Sequence, residues 1–345
     1  MTNQPLLHKT LRDAGINISH EYSSPAYESP WFIKFLIGFS AWVASWFLIG
    51  FVVLSLKPSI NSTETFMAVG AVLLTVSSII LYRPRNEFVD NLALAFSLAG
   101  QIFLAFALQT MLSWQNPEFW WALTLMQLTL CAIPNFIHRV TVSAFAGITL
   151  AIALAHSGAA YIATVLVLAM GAFTWSYELK HKHWMRFYQA VGFGTAAALL
   201  LIQYGLRFNA GTIFYAIPTQ QWATPAMGEL LTVFIATAVL WHITRRVQLS
   251  GNQWAFALGV LALLGVASGF AYGLLQATVL LVLGFYGGNR VLMGLATLAL
   301  IAAISSYYYL LDTTLLIKSA TLLAIGAVLL LTRVAYRRLW PEENP

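Results

Sequence analysis

From residue 31 onward the chain alternates long, mostly apolar runs with short polar turns. A helix crossing the hydrocarbon core of a bilayer needs about 20 such residues. Twelve runs approach that length: Trp31 to Leu56, Phe66 to Tyr82, Phe88 to Leu112, Phe119 to Phe136, Val140 to Ala155, Gly158 to Tyr177, Met185 to Leu206, Glu229 to Ile243, Gln253 to Gly269, Phe270 to Tyr286, Val291 to Tyr309, and Thr313 to Thr332. The pattern predicts an all-α, polytopic transmembrane helical bundle of about twelve spans. Two junctions are thin. Only His156 and Ser157 separate the fifth and sixth runs, and the ninth and tenth abut, with Gly269 and Gly273 as the expected breaks. Fusion at one or both would leave eleven or ten spans.

The turns carry the orientation. Short cytoplasmic loops collect Lys and Arg. With the N-terminus inside, all but three of the 18 Lys and Arg residues fall on the cytoplasmic side; Lys57 and Arg207 are outside and Lys318 is within a span. An even number of spans preserves this bias, so both termini are expected in the cytoplasm. The domain plan is then a cytoplasmic segment (1–30), a transmembrane domain (31–334) and a cytoplasmic tail (335–345). Within it one unit recurs: a span inward, a short basic turn, a span outward. The turns are YRPRNE at Tyr82, PNFIHR at Pro134, ELKHKH at Glu178, ITRRVQLSGN at Ile243 and FYGGNR at Phe285. Stacked helical hairpins give such a plan. Arg207 to Gly228 is the one sizeable external segment. Trp114, Trp120, Trp121, Trp222 and Tyr307 to Tyr309 suit the head-group layer. The first 30 residues show no signal-peptide pattern, so the first span is expected to direct insertion. Pro5, Leu6, Leu7, Leu11 and Ile16, interleaved with Lys9, Arg12 and Asp13, fit either an amphipathic surface helix or a frayed tail.

Composition agrees: 59% of residues are hydrophobic and 9% charged, against about a quarter charged in soluble domains. A net charge of +6 would point to nucleic acid in a soluble domain. Here the basic residues lie between spans, and anionic lipid head groups are the expected partner instead. Cys131 stands alone, which excludes an internal disulfide or a cysteine metal site and suits a small buried hydrophobe. No GxxxxGK[ST], HExxH or GxSxG motif is present. The polar residues are scattered along the spans, so neither an enzyme nor a cofactor is expected.

Asp312 and Lys318 stand out, because a carboxylate and an ammonium border or enter the last span. Six residues advance a helix by about 9 Å and turn it about 120° off the starting face, so they are poor partners for each other. Asp312 suits an N-cap and Lys318 can snorkel to the outer head groups. A packed charge contact or ion path is the other reading, since ionisable residues inside spans are functional candidates. Glu87, Asp90 and Asn91 open the third span, where acids favour the helix dipole and Asn86 suits an N-cap. Asp90 with Arg83 and Arg85 could instead form a docking or proton-entry site. Gln101, Gln127 and Gln276 lie near mid-membrane, as interhelical hydrogen-bond formers or substrate ligands. His181 and His183 in KHKHW read as a solvated basic turn, with Glu178 and Lys182 closing the helix end. His242, Arg245 and Arg246 put cations at a helix C-terminus.

ESPWFIKFLIGFSAWVASWFLIGF, DNLALAFSLAGQ and FYGGNRVLMGLATLALIAAISSYYYLLDTTLLIKS together resemble a family of bacterial multi-pass membrane proteins catalogued as a domain of unknown function. The resemblance runs from about residue 5 to the end, and the Asp-x5-Lys pattern at Asp312 and Lys318 is its most distinctive part. Asn91 departs from the family's usual QLALALSLAGQ. The resemblance implies a place in the inner membrane. It also implies partners encoded alongside: a second multi-pass protein, and a small membrane-anchored protein with a GDYxxLxY signature. The resulting expectation is a non-enzymatic membrane subunit that binds and positions such partners, with a transporter or channel for a small solute or ion as the rival.

Overall fold

Eleven of the predicted runs fold as helices in the computed structural model, which describes residues 30–55, 62–82, 87–178, 180, 182–208, 222–247, 250–270, 272–310 and scattered positions from 314 to 338. In chain order they are α1 (Trp31–Ser55), α2 (Thr63–Tyr82), α3 (Glu87–Met111), α4 (Pro117–Leu130), α5 (Phe136–His156), α6 (Ala160–Tyr177), α7 (Met185–Phe208), α8 (Pro225–Val247), α9 (Gly251–Phe270), α10 (Leu274–Tyr286) and α11 (Arg290–Leu310). There is no strand among the described residues, and eight of the helices are long and apolar enough to cross a membrane. The N-terminal segment, Asp312 and Lys318 lie outside the described residues.

Local chemistry sets the helix ends. Both thin junctions are real breaks. Gly158 (φ 80°) separates α5 from α6, and Gly273 (φ 93°) separates α9 from α10, a left-handed backbone that side-chain-bearing residues seldom adopt. Gly269 breaks nothing: α9 runs through it to Phe270, and the tenth helix starts at Leu274 instead of Phe270. The fourth run is also shorter than expected. It stops at Leu130, because Pro134 cannot continue a helix. Asn135 then caps α5, accepting from the His138 N–H at 3.0 Å, so α5 begins at Phe136 and not Val140. At 14 and 13 residues, α4 and α10 are about 20 Å long, less than the ~30 Å of hydrocarbon. Ser250 and Gln253 form a capping box at the start of α9, with bonds of 3.4 and 3.0 Å. Glu178 bonds Gln189 at 2.6 Å, whereas the expected partner Lys182 has its side chain outside the described residues.

Packing divides the helices into two groups. In lipid there is no hydrophobic force between apolar helices, so close approach through small residues supplies the attraction. The α2–α3 pair meets at Gly70 and Gly100: a methyl added at Gly70 would lie 2.9 Å from the Leu104 backbone nitrogen, and one at Gly100 would lie 3.0 Å from that of Leu74. With α1 they enclose a small core around Phe103, while a second small core around Leu81 and Leu94 is shared with Ile133 in the turn after α4. The larger core joins α5, α6, α7, α8, α10 and α11 through Leu168, Leu199, Leu275, Leu280 and Leu292, all buried. Between the groups, the backbone of α3 approaches α4 at only a few positions.

Candidate functional site

Four buried polar side chains gather at that sparse seam. Gln127 Nε2 on α4 donates to Gln101 Oε1 on α3 at 3.0 Å, and Gln101 Nε2 donates to Ser97 Oγ at 3.1 Å. Ser97 Oγ in turn meets His138 Nε2 on α5 at 2.8 Å. Relative exposures of 0% for Ser97, 4% for Gln101, 5% for Gln127 and 1% for His138 leave none of them to water. Ser97 Oγ and His138 Nε2 share one proton, and which of the two donates depends on the tautomer of the ring. Two ends stay open: Gln127 Oε1 and His138 Nδ1 are buried without a hydrogen-bond partner.

A cavity of about 130 Å³ lies beside this relay, lined by Ser45 of α1, Leu98, Gln101 and Ile102 of α3, and Met126 and Gln127 of α4, among others. Long amide side chains thus bridge a gap that α3 and α4 do not close by packing. The cavity wall is mostly apolar, and the hydroxyl and amide groups of Ser45, Gln101 and Gln127 are the points where a small molecule can hydrogen-bond. It offers no carboxylate or nucleophile. Among the described residues no group of three or more His, Cys, Asp or Glu could hold a metal ion.

A second cluster ties α8, α9 and α10. Ser268 donates to Glu229 Oε2 at 2.8 Å, the Leu275 N–H donates to Ser268 at 3.4 Å, and Gln276 Nε2 donates to Thr232 at 3.3 Å. Beside it Tyr272 shares a 2.7 Å hydrogen bond with Thr164 on α6, and the Trp222 indole donates to the Ser157 carbonyl at 3.1 Å. The end of the 209–224 connection is thereby fastened to the α5–α6 turn.

Residues 30–339 match the family described as domain of unknown function DUF4401. The chain belongs to that family. No curated protein and no solved structure matches the chain.

In this DUF4401 protein the predicted polar residues do not converge. Gln101 and Gln127 share the first cluster, Gln276 belongs to the second, and no described cavity joins the two. Asp90 is half-buried in the first turn of α3, while the side chains of Arg83 and Arg85 lie outside the described residues. Cys131 is half-buried, with Sγ 3.3 Å from Ser143 Oγ. Arg245 stacks on Trp241 with its guanidinium carbon 3.6 Å from the ring centroid, a cation–π contact at the helix end. Sequence reasoning missed Ser97, His138, Glu229, Ser268 and Thr232. Two of these carried a signal: Ser97 is one turn before Gln101 in SLAGQ, and His138 follows a capping Asn135 by three residues.

Proposed function

We propose that the protein is a non-enzymatic subunit of the bacterial inner membrane that binds and positions partner membrane proteins, the GDYxxLxY-signature protein and the second multi-pass protein first among them. In this reading the chain has twelve spans, both termini in the cytoplasm, and basic turns against anionic head groups. The observation that carries it is α9. Only 6% of its membrane-length apolar stretch is buried within the chain, and its outer stripe presents Gly251, Ala255, Gly259 and Ala262, all exposed. Small residues three or four apart on one helix face let a second transmembrane helix approach closely. Meanwhile the polar groups inside the spans bond helix to helix, as expected of internal fastening.

Purification from native membranes in mild detergent is expected to recover a stable, stoichiometric membrane partner. Ala255→Leu with Gly259→Leu should release it at unchanged abundance. Recovery of a lone wild-type protein would overturn the reading. The transporter reading draws on the cavity beside Gln127. It requires Lys318→Leu and Gln101→Leu to abolish uptake of a small solute while the protein remains at normal abundance. Reporter fusions test the topology separately, with the Lys180 turn expected inside and Trp222 outside.

A further inference from the structure

Opposite the small-residue stripe, α9 faces a groove of about 560 Å³ shared with α8 and α10. Its size falls within the roughly 300–1,000 Å³ of ordinary ligand sites. Along α9 the lining runs through Phe256, Val260 and Leu264, and Val239 and Val279 close the sides. From Gln253 to Leu264 the groove follows about 16 Å of helix. Thr278 also lines it, but its hydroxyl is taken by the Leu274 carbonyl at 2.8 Å, so it adds little polarity.

The polarity is at one end. Of the lining residues, Gln253 in the first turn of α9 and Arg333 carry the groups that can bond an anion, and the proposed topology puts both at the cytoplasmic end. Arg333 is exposed and has no partner among the described residues. Gln253 Oε1 is committed to the capping bond with the Ser250 N–H at 3.0 Å, leaving its amide nitrogen to donate.

We infer that this groove holds an acyl chain of an anionic phospholipid, with the head-group phosphate at Arg333 and Gln253. An apolar trough of this length offers water no polar partners, and since a lipid tail gains no hydrophobic free energy over bulk lipid, close packing along the trough holds it there. A planar guanidinium at the open end matches phosphate oxygens in a paired fashion that a lysine would not. Basic pockets between transmembrane helices on the cytoplasmic side take anionic head groups for this reason, and the proposed topology puts Arg333 on that side. A hydrophobic helix from a partner or a second copy would leave the Arg333 charge unanswered.

The test uses the full chain, delipidated in detergent and titrated with phosphatidylglycerol or phosphatidylcholine, read by native mass spectrometry and thermal melting. Retained phosphatidylglycerol and a rise in melting temperature specific to it are expected. Arg333→Gln should weaken that binding about fivefold. Val260→Trp, which fills the trough, should abolish it, while Gly259→Leu on the opposite face should leave it intact; this last result also separates the groove from the partner-docking stripe. Equal responses to the two lipids, or Arg333→Gln binding phosphatidylglycerol as the wild type does, would overturn the inference. So would a lipid-free dimer formed through the groove.

Discussion

Gly194→Ala is expected to lower the melting temperature of the detergent-solubilised protein by several degrees and to loosen α5 from α7. The added methyl would sit 2.5 Å from Ser143 Cβ, 2.6 Å from the Val140 carbonyl oxygen and 3.0 Å from the Ala144 nitrogen. Two of those three atoms are backbone, so no rotamer change relieves the overlap. Overpacking of this kind costs about 1–3 kcal/mol. Helix propensity acts in the other direction, since alanine is favoured over glycine by about 1 kcal/mol. The same change at Gly294, where nothing lies within 4 Å, isolates propensity alone and should leave melting unchanged or raise it. If both variants melt alike, close approach of α5 and α7 is not what holds this pair.

The second large effect is expected at Gln101. Gln101→Leu removes the acceptor for Gln127 Nε2 and the donor to Ser97 in one step. A buried donor without a partner costs about 1–3 kcal/mol, although bonds between membrane helices average nearer ~0.6 kcal/mol. Destabilisation of about 2 kcal/mol is expected. Gln127→Leu alone should cost less, because Gln101 keeps its bond to Ser97. The double substitution should then be less harmful than the two singles added together, since it leaves no amide nitrogen stranded. Strict additivity in thermal melts of the four proteins would mean the two glutamines do not act through each other.

These residues also show how much of the molecule was legible beforehand. Helices were readable because each run is apolar over most of its length, and the α9–α10 break because Gly273 favours a left-handed turn, but the ends that Pro134 and Asn135 set were missed. The extents of α4 and α10 were harder to read: hydropathy continues past Leu130 and begins before Leu274, and only the turn chemistry decides. Gln101, Gln127 and Gln276 announced themselves as polar groups in hydrocarbon. Their partners did not, because Ser97 and His138 lie 41 positions apart, and runs that are apolar all round do not say which side faces which neighbour. Asp312 and Lys318, the loudest sequence signal, fall outside the described residues, so their part in the protein rests on substitution experiments.

The seam has a mechanical consequence. Where interlocking side chains deform gradually, three hydrogen bonds in series have a short elastic range. Sliding α3 past α4 and α5 by ~2 Å along the bilayer normal would take the two bonds that cross between helices, Gln127 to Gln101 and Ser97 to His138, out of good bonding range together, while the Gln101–Ser97 bond rides along within α3. The N-terminal trio of helices therefore sits on a catch: it resists a gentle push and lets go at once under a harder one.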